Sequence, residues 1–329
     1  MAIYLTRRLF GLAIVLLAMS FIIFCLQALI PADPARAIAG PSAPVETVEA
    51  LRQQLGLDDP LIEQYGRFLS RLVTGDLGVS VRTRQPVLAD IGRYLPASLE
   101  LMLAAMVAGL GLATLFALVQ SAARRSGAMR LFVLAAGSVP IFLSALLFVY
   151  FFWFKLDWLP GSGRLGIRRF SGPTGFNLID GFLVGRPEVF LDAVAHLILP
   201  AITLGLPIAV AVGRSLNGAL IDVLKQPYIR TARGKGIGEA TLVVRHGIRN
   251  AASAPLSMIG LQAGLLFGNL LIVERVFAWP GLGLYTAQAF STSDLPAVLG
   301  VSLVFGIYYV AVSALVQVLQ SLADPRIEL

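Results

Sequence analysis

Residues 228–238 read YIRTARGKGIG and set Arg230, Arg233 and Lys235 among glycines, with Arg245 a little further on. Guanidinium and ammonium groups spaced this way can meet carboxylates on a partner, lipid headgroups or nucleic-acid phosphates. Other residues could in principle do chemistry. Gly161, Gly163 and Gly166 match Gly-x-Gly-x-x-Gly, but a dinucleotide fingerprint needs a strand before it and a helix after it, and this one follows a long apolar run. Lys235 is followed by Gly236 where a Walker A loop requires Ser or Thr, so any ATP must be bound by another chain. There is no Gly-x-Ser-x-Gly elbow and no His-Glu-x-x-His. His196 and His246 are too far apart in sequence to suggest a dyad, and each reads as a hydrogen-bonded structural residue. The single cysteine, Cys25, excludes an intrachain disulfide, and one Cys with two His leaves no zinc set. No catalytic, cofactor-binding or metal-ligating residue is expected, and the chain does not read as an enzyme.

The elements that must hold these residues are hydrophobic. The chain is 57% hydrophobic and 14% charged, with a mean hydropathy of +0.80, against about a quarter charged for a soluble domain. Apolar runs of about 20 residues recur, which defines a polytopic membrane protein. The net charge of +7 is what Lys and Arg collected in cytoplasmic loops produce, and no nucleic-acid module accompanies it.

Six apolar stretches follow, at 9–30, 97–122, 131–154, 191–216, 251–276 and 297–321, and in lipid each should be a helix. Pro140, Pro200 and Pro207 fall inside them as kinks. The first stretch is too long for a signal-peptide core and is expected to be retained. Basic residues gather at Arg7 and Arg8, at Arg124, Arg125 and Arg130, and between the fourth and fifth stretches at Lys225, Arg230, Arg233, Lys235, Arg245 and Arg249. All three groups fall on one side of a six-helix chain, so that side and both termini should be cytoplasmic, although the outer 155–190 loop is basic too. The expected organisation is a cytoplasmic N-terminus and first helix at 1–30 and a large extracytoplasmic segment at 31–96. A transmembrane core follows at 97–322, with an internal basic segment near 222–250 and a tail at 323–329. Within 31–96, DDPLIEQYGRFLSRLVTGDLG predicts an amphipathic helix, with Asp59 as cap, Pro60 at the first position and Gly75 and Gly78 at the end. Leu61, Tyr65, Phe68, Leu69 and Leu72 form its apolar face, suited to the membrane surface, to the outer helix ends or to a partner.

Glu100, Asp192 and Glu274 with Arg275 stand near helix ends, where interfacial placement or pairing is expected. No span carries a central acidic residue, which counts against an ion-coupled secondary carrier, the alternative reading; a structural membrane protein without a pathway is a third.

YIRTARGKG followed by IRNA resembles the cytoplasmic coupling segment of permeases of binding-protein-dependent ABC importers, in the dipeptide/oligopeptide (nickel, glutathione) branch. RRL, IPADPA, LGLDDP, GDLGVS, ASLEL, DAVAHLILPAITLG, VFAWPGLG and the terminal DPRI extend the resemblance along nearly the whole chain. Pro227 stands where the branch commonly has an acidic residue, and Pro255 one position later than its usual proline. The resemblance implies an all-α permease subunit of a bacterial inner membrane that imports di- or oligopeptides. It would act with a second, similar permease, two cytoplasmic ATPases that bind ATP and Mg, and an external binding protein. It also implies ATPase coupling through Tyr228, Arg230, Thr231, Ala232, Arg233, Lys235 and Gly236. Glu274, Trp279, Pro280, Gly281 and Gly283 would form the outer mouth, where Pro280, Gly281 and Gly283 should stop the helix after Trp279 in a re-entrant turn.

Overall fold

The computed structural model describes residues 2–29, 34–40, 43–122, 137, 139–167 and 170–323. Arg124, Arg125, Arg130 and the DPRI tail lie outside them, as does most of the 131–140 stretch. The described chain is helical, with one isolated antiparallel bridge between Val79 and Pro86. Four of its helices contain stretches long and apolar enough to cross a membrane: Val87–Gln120, Pro187–Val223, Ser253–Val276 and Leu295–Ser321. Two further apolar stretches, Phe10–Ile22 and Ile141–Lys155, are shorter.

Backbone contacts divide the chain into two units, Met1–Leu95 with Tyr285–Val310 and Pro96–Leu284 with Ala311–Leu329. In the first unit, the Leu61–Val73 helix packs on the Ala2–Leu29 helix. Tyr65 meets Phe21 edge-on with ring centroids 5.5 Å apart, Phe24 lies 6.1 Å from Phe68, and the Tyr65 hydroxyl is 3.0 Å from Ser20 Oγ. This settles what part of the amphipathic face is for: Tyr65, Phe68, Leu69 and Leu72 are half-buried, while Leu61 is exposed. The expected cap is corrected. Pro60, not Asp59, occupies the cap position and no side chain caps the helix, because the Asp59 carboxylate is paired with Arg67 at 2.8 Å. The helix ends at Val73, and Gly75 takes the left-handed conformation at φ +80°.

Also in this unit, two buried carboxylates tie loops to helices. Asp90 accepts from Thr83 Oγ1 at 2.5 Å and from the Tyr285 hydroxyl at 2.9 Å. Asp294 accepts from Ser80 Oγ at 2.5 Å and from the Arg82 backbone at 3.2 Å. Asp90 lies in a helix, Val87–Ala122, that begins ten residues before the expected start and carries Pro96 inside it. A proline there removes one intrahelical bond, and burial of Val87 and Ile91 holds the early turns in place.

The second unit is built around the Pro187–Val223 helix, longer at both ends than the expected 191–216 and with Pro200 and Pro207 inside it. At about 1.5 Å per residue it is roughly 55 Å long, well beyond a hydrocarbon core of about 30 Å. Glycines let the Val87–Ala122 helix approach it closely. A Cβ on Gly205 would lie 2.8 Å from the Ala105 carbonyl, and one on Gly109 2.8 Å from the Gly205 carbonyl. Leu101, Ala105, Leu204, Ile208, Leu266 and Leu270 are buried within this unit. The third expected stretch is described from Ile141, where a short α-helix passes into π-helical turns at Val149–Lys155. Pro140 is the cap of that helix rather than an internal kink, since its missing N–H costs nothing at a helix start.

Candidate functional site

The basic segment folds as a short helix, Pro227–Gly234, with Pro227 in its first turn, where a fixed φ suits a helix start. One side chain anchors it. Ile229 is fully buried against Leu224, at the end of the long helix, and Leu242. Around that anchor Tyr228, Arg230, Thr231, Arg233 and Lys235 are exposed, and Ala232 is half-buried. Thr231 Oγ1 donates back to the Pro227 carbonyl at 3.2 Å. Lys235 caps the helix end and Gly236 turns the chain at φ +83°, a conformation L-residues rarely hold. The result is a knob of one apolar root and several exposed cations, standing directly beyond the Pro187–Val223 helix.

The structure separates two cations that look alike in the sequence. Arg233 donates to both carboxylate oxygens of Glu239, with Nη2 3.1 Å from Oε2, and this hydrogen bonding raises its pKa further above the ordinary arginine value. Lys235 and Arg230 have no ion pair among the described residues. Arg233 therefore braces the loop that follows, and the free cationic surface belongs to its neighbours.

The VFAWPGLG segment leaves the Ser253–Val276 helix and turns over residues 277–281, with Ala278 at φ +48°. A new helix, Leu282–Ser291, starts at once, so the expectation that Gly283 blocks helix is corrected: it lies inside the new helix, and only the residues through Gly281 break the run. Gly283 is small because the chain passes close by, and a Cβ there would lie 2.8 Å from Leu271 Cα. Glu274, fully buried, organises the turn. It accepts from Ser98 Oγ at 2.6 Å and from Leu284 N at 2.9 Å, while Leu282 N donates to Ser98 Oγ at 2.7 Å. Trp279 is buried and its Nε1 donates to the Ala97 carbonyl at 2.9 Å. The Arg164 guanidinium lies 5.5 Å from the Trp279 ring centre and donates to Glu100 at 2.5 Å. ASLEL and VFAWPGLG, far apart in sequence, thus form one hydrogen-bonded assembly.

The carboxylates near span ends are all engaged. Besides Glu274 and Glu100, Asp192 accepts from the backbone of Gly166 at 2.7 Å and lies 3.2 Å from His196 Nδ1. The Gly161-Gly163-Gly166 match has no strand before it; Gly163 sits at φ +81° in the loop and donates to the Phe277 carbonyl at 2.8 Å. Sequence reasoning missed Ser98, which only the fold brings to Glu274. It also passed over Arg214, the one Lys, Arg, Asp or Glu between residues 193 and 221, although its isolation was a readable signal.

Long apolar helices packed through glycine contacts, with an exposed basic helix just beyond Pro187–Val223, define a multi-pass membrane protein. Residues 94–329 match the family of binding-protein-dependent transport system inner membrane components, and residues 1–102 match its N-terminal membrane component. The chain belongs to that family. It is 38% identical over 328 residues to the probable D,D-dipeptide transport system permease protein DdpB of Escherichia coli K12, covering 98% of this chain and 96% of the relative. It is 39% identical to the di/tripeptide transport system permease protein DppB of Pseudomonas aeruginosa UCBPP-PA14, over 98% of each chain. To the glutathione transport system permease protein GsiC of Escherichia coli K12 the identity is 33%, again over 98% of each. A chain of the MetNI methionine ABC transporter in an inward-facing form overlays 69% of this chain and 95% of its own at a TM-score of 0.47 and 15% identity, too distant to bear on the assignment. The protein is thus a transport permease of the bacterial inner membrane, working in an ABC system with a binding protein and an ATPase, and not a secondary carrier.

Proposed function

We propose that this chain forms half of the translocation pathway of an ATP-driven peptide importer, with a second homologous permease forming the other half. Two ATPase subunits would bind ATP and Mg and dock from the cytoplasm on the Pro227–Gly234 knob; the chain itself has no catalytic role. Six spans with both termini cytoplasmic, and 31–96 outside, give the orientation that puts this knob on the ATPase side. Tyr228, Arg230, Thr231, Ala232, Lys235 and Gly236 form the docking surface, with Arg233 bracing it through Glu239. The assembly of Glu274, Trp279, Pro280, Gly281 and Gly283 closes the outer mouth. Switching between inward- and outward-open forms is then a rigid-body motion passed along the long helix.

The observation that carries the reading is the full-length similarity to permeases named for dipeptides, di/tripeptides and glutathione, together with a basic helix rooted by Ile229 on the end of the longest helix. The test is co-purification and uptake. The tagged chain should bring down ATPase subunits, and cells with the full system should accumulate labelled di- or tripeptides only with ATP and the binding protein. Uptake driven by an ion gradient without ATPases would refute it.

A further inference from the structure

Ser144, Thr203, Pro207, Val210, Arg214 and Gln262 line a cavity of about 300 Å³ among the Ile141–Phe148, Pro187–Val223 and Ser253–Val276 helices. That volume lies within the range of small-molecule sites, roughly 300–1,000 Å³. Arg214 stands nine residues before the end of the long helix at Val223, so about 14 Å along it from that end. A guanidinium stays charged at any physiological pH, and leaving one unpaired in hydrocarbon costs several kcal/mol. Yet Arg214 is exposed and has no ion pair or hydrogen bond among the described residues. The Ser144 hydroxyl, on a buried residue, and the Gln262 amide likewise have no partner there. On the same helices Asp192, His196 and Glu274 are bonded within the chain, and Arg275, the other cation without an ion pair among the described residues, stands exposed at the last turn of the Ser253–Val276 helix rather than in a cavity. Three unpaired polar side chains around one cavity, one of them a permanent cation, fit a wet passage and an anionic occupant that comes and goes.

We infer that this cavity is a contact point on the inward half of the pathway. Arg214 takes the carboxylate of the passing molecule by paired N–H···O bonds, and Ser144 and Gln262 meet its amide groups. The inference rests on the peptide reading above, because a peptide is the substrate class that carries both a terminal carboxylate and amides.

The experiment uses the complete transporter in vesicles, in a Cys25→Ser background carrying Ser144→Cys. The new thiol should react with an anionic methanethiosulfonate about tenfold faster than with a cationic one, because Arg214 concentrates anions near it. Adding Arg214→Gln should bring the two rates together and lower peptide uptake. Transported peptide present during ATP turnover should slow the reaction several-fold in vesicles of zwitterionic lipid. No reaction, or equal rates for both reagents whether or not Arg214 is present, would overturn the inference. So would protection that follows anionic lipid content rather than peptide, which would put a headgroup in the cavity. Peptide uptake by the parent transporter is measured alongside: its absence counts against the peptide reading, whereas normal uptake with an unprotected thiol counts against this inference alone.

Discussion

Gly281→Ala should disable the turn that follows the Ser253–Val276 helix. A Cβ at this position would overlap Glu274 Oε1 and come within 2.5 Å of Ser98 Oγ. Neither atom can yield easily, because each holds the turn. Ser98 Oγ donates to Glu274 at 2.6 Å and accepts from Leu282 N at 2.7 Å, while the other carboxylate oxygen accepts from Leu284 N at 2.9 Å. Either the carboxyl group swings away or the turn opens, and in both cases two bonds to the fully buried Glu274 are lost. Leaving a buried polar group without its hydrogen bond costs about 1–3 kcal/mol, so the loss is about 2–6 kcal/mol. At about 2–4 °C per kcal/mol, the purified permease should unfold at least ~4 °C earlier. Tryptophan fluorescence on heating is the assay, with uptake measured in parallel and expected to be lost. Ser98→Ala should lie between this variant and the parent, since it removes the hydroxyl but adds no clash. Gly111→Ala is the control: nothing lies within 4 Å of a Cβ there, and both readouts should match the parent. Parental unfolding temperature and uptake in Gly281→Ala would refute the idea that the buried Glu274 network holds this turn.

Three further outcomes are expected. A thiol introduced by Ser171→Cys in the Cys25→Ser background should react with an impermeant reagent outside intact cells, and one introduced by Gly238→Cys only after permeabilisation; the reverse pattern would invert the orientation. Arg233→Glu should reduce uptake by setting two carboxylates side by side, and Glu239→Arg in the same chain should restore most of it, whereas Lys235→Glu should abolish ATPase-coupled uptake with no rescue from Glu239→Arg. If the Arg233–Glu239 exchange rescues nothing, Arg233 is not a brace. Ile229→Ala removes a fully buried side chain and should cost about 2–5 kcal/mol of local packing, seen as faster proteolysis within 224–242 and weaker retention of ATPase subunits; unchanged proteolysis would remove Ile229 from the role of anchor.

Hydropathy alone located the long helices, because burying apolar side chains in lipid needs no knowledge of what lies beside them. It failed where polarity is satisfied from a distance. Asp90, Arg93 and Pro96 diluted the run before residue 97, so the helix start at Val87 was hidden; Asp90 is held by Thr83 and Tyr285, the latter almost two hundred residues away in sequence. Asp59 has the chemistry of a cap, but Arg67, two turns further on, claims it. The knob at Pro227–Gly234 was legible from its composition and resemblance, while its root at Ile229 was not, since Leu242 lies beyond the turn. Likewise nothing local in the sequence connects Arg214 with Ser144 and Gln262, which three different helices bring to one cavity.

The Pro207 break has a leverage consequence. With no N–H at Pro207, the Thr203 carbonyl lacks its usual helical donor and the rod can flex there at reduced cost. From Pro207 to Val223 is about 24 Å, so a bend of about 10° would swing the far end through roughly 4 Å. Leu224, Ile229 and Leu242 fasten the basic knob to that end, so the knob would travel with it. Pro207 also lines the cavity that holds Arg214. Fulcrum and cavity wall are one residue, and each stroke of the arm would narrow or widen the space that Arg214 faces.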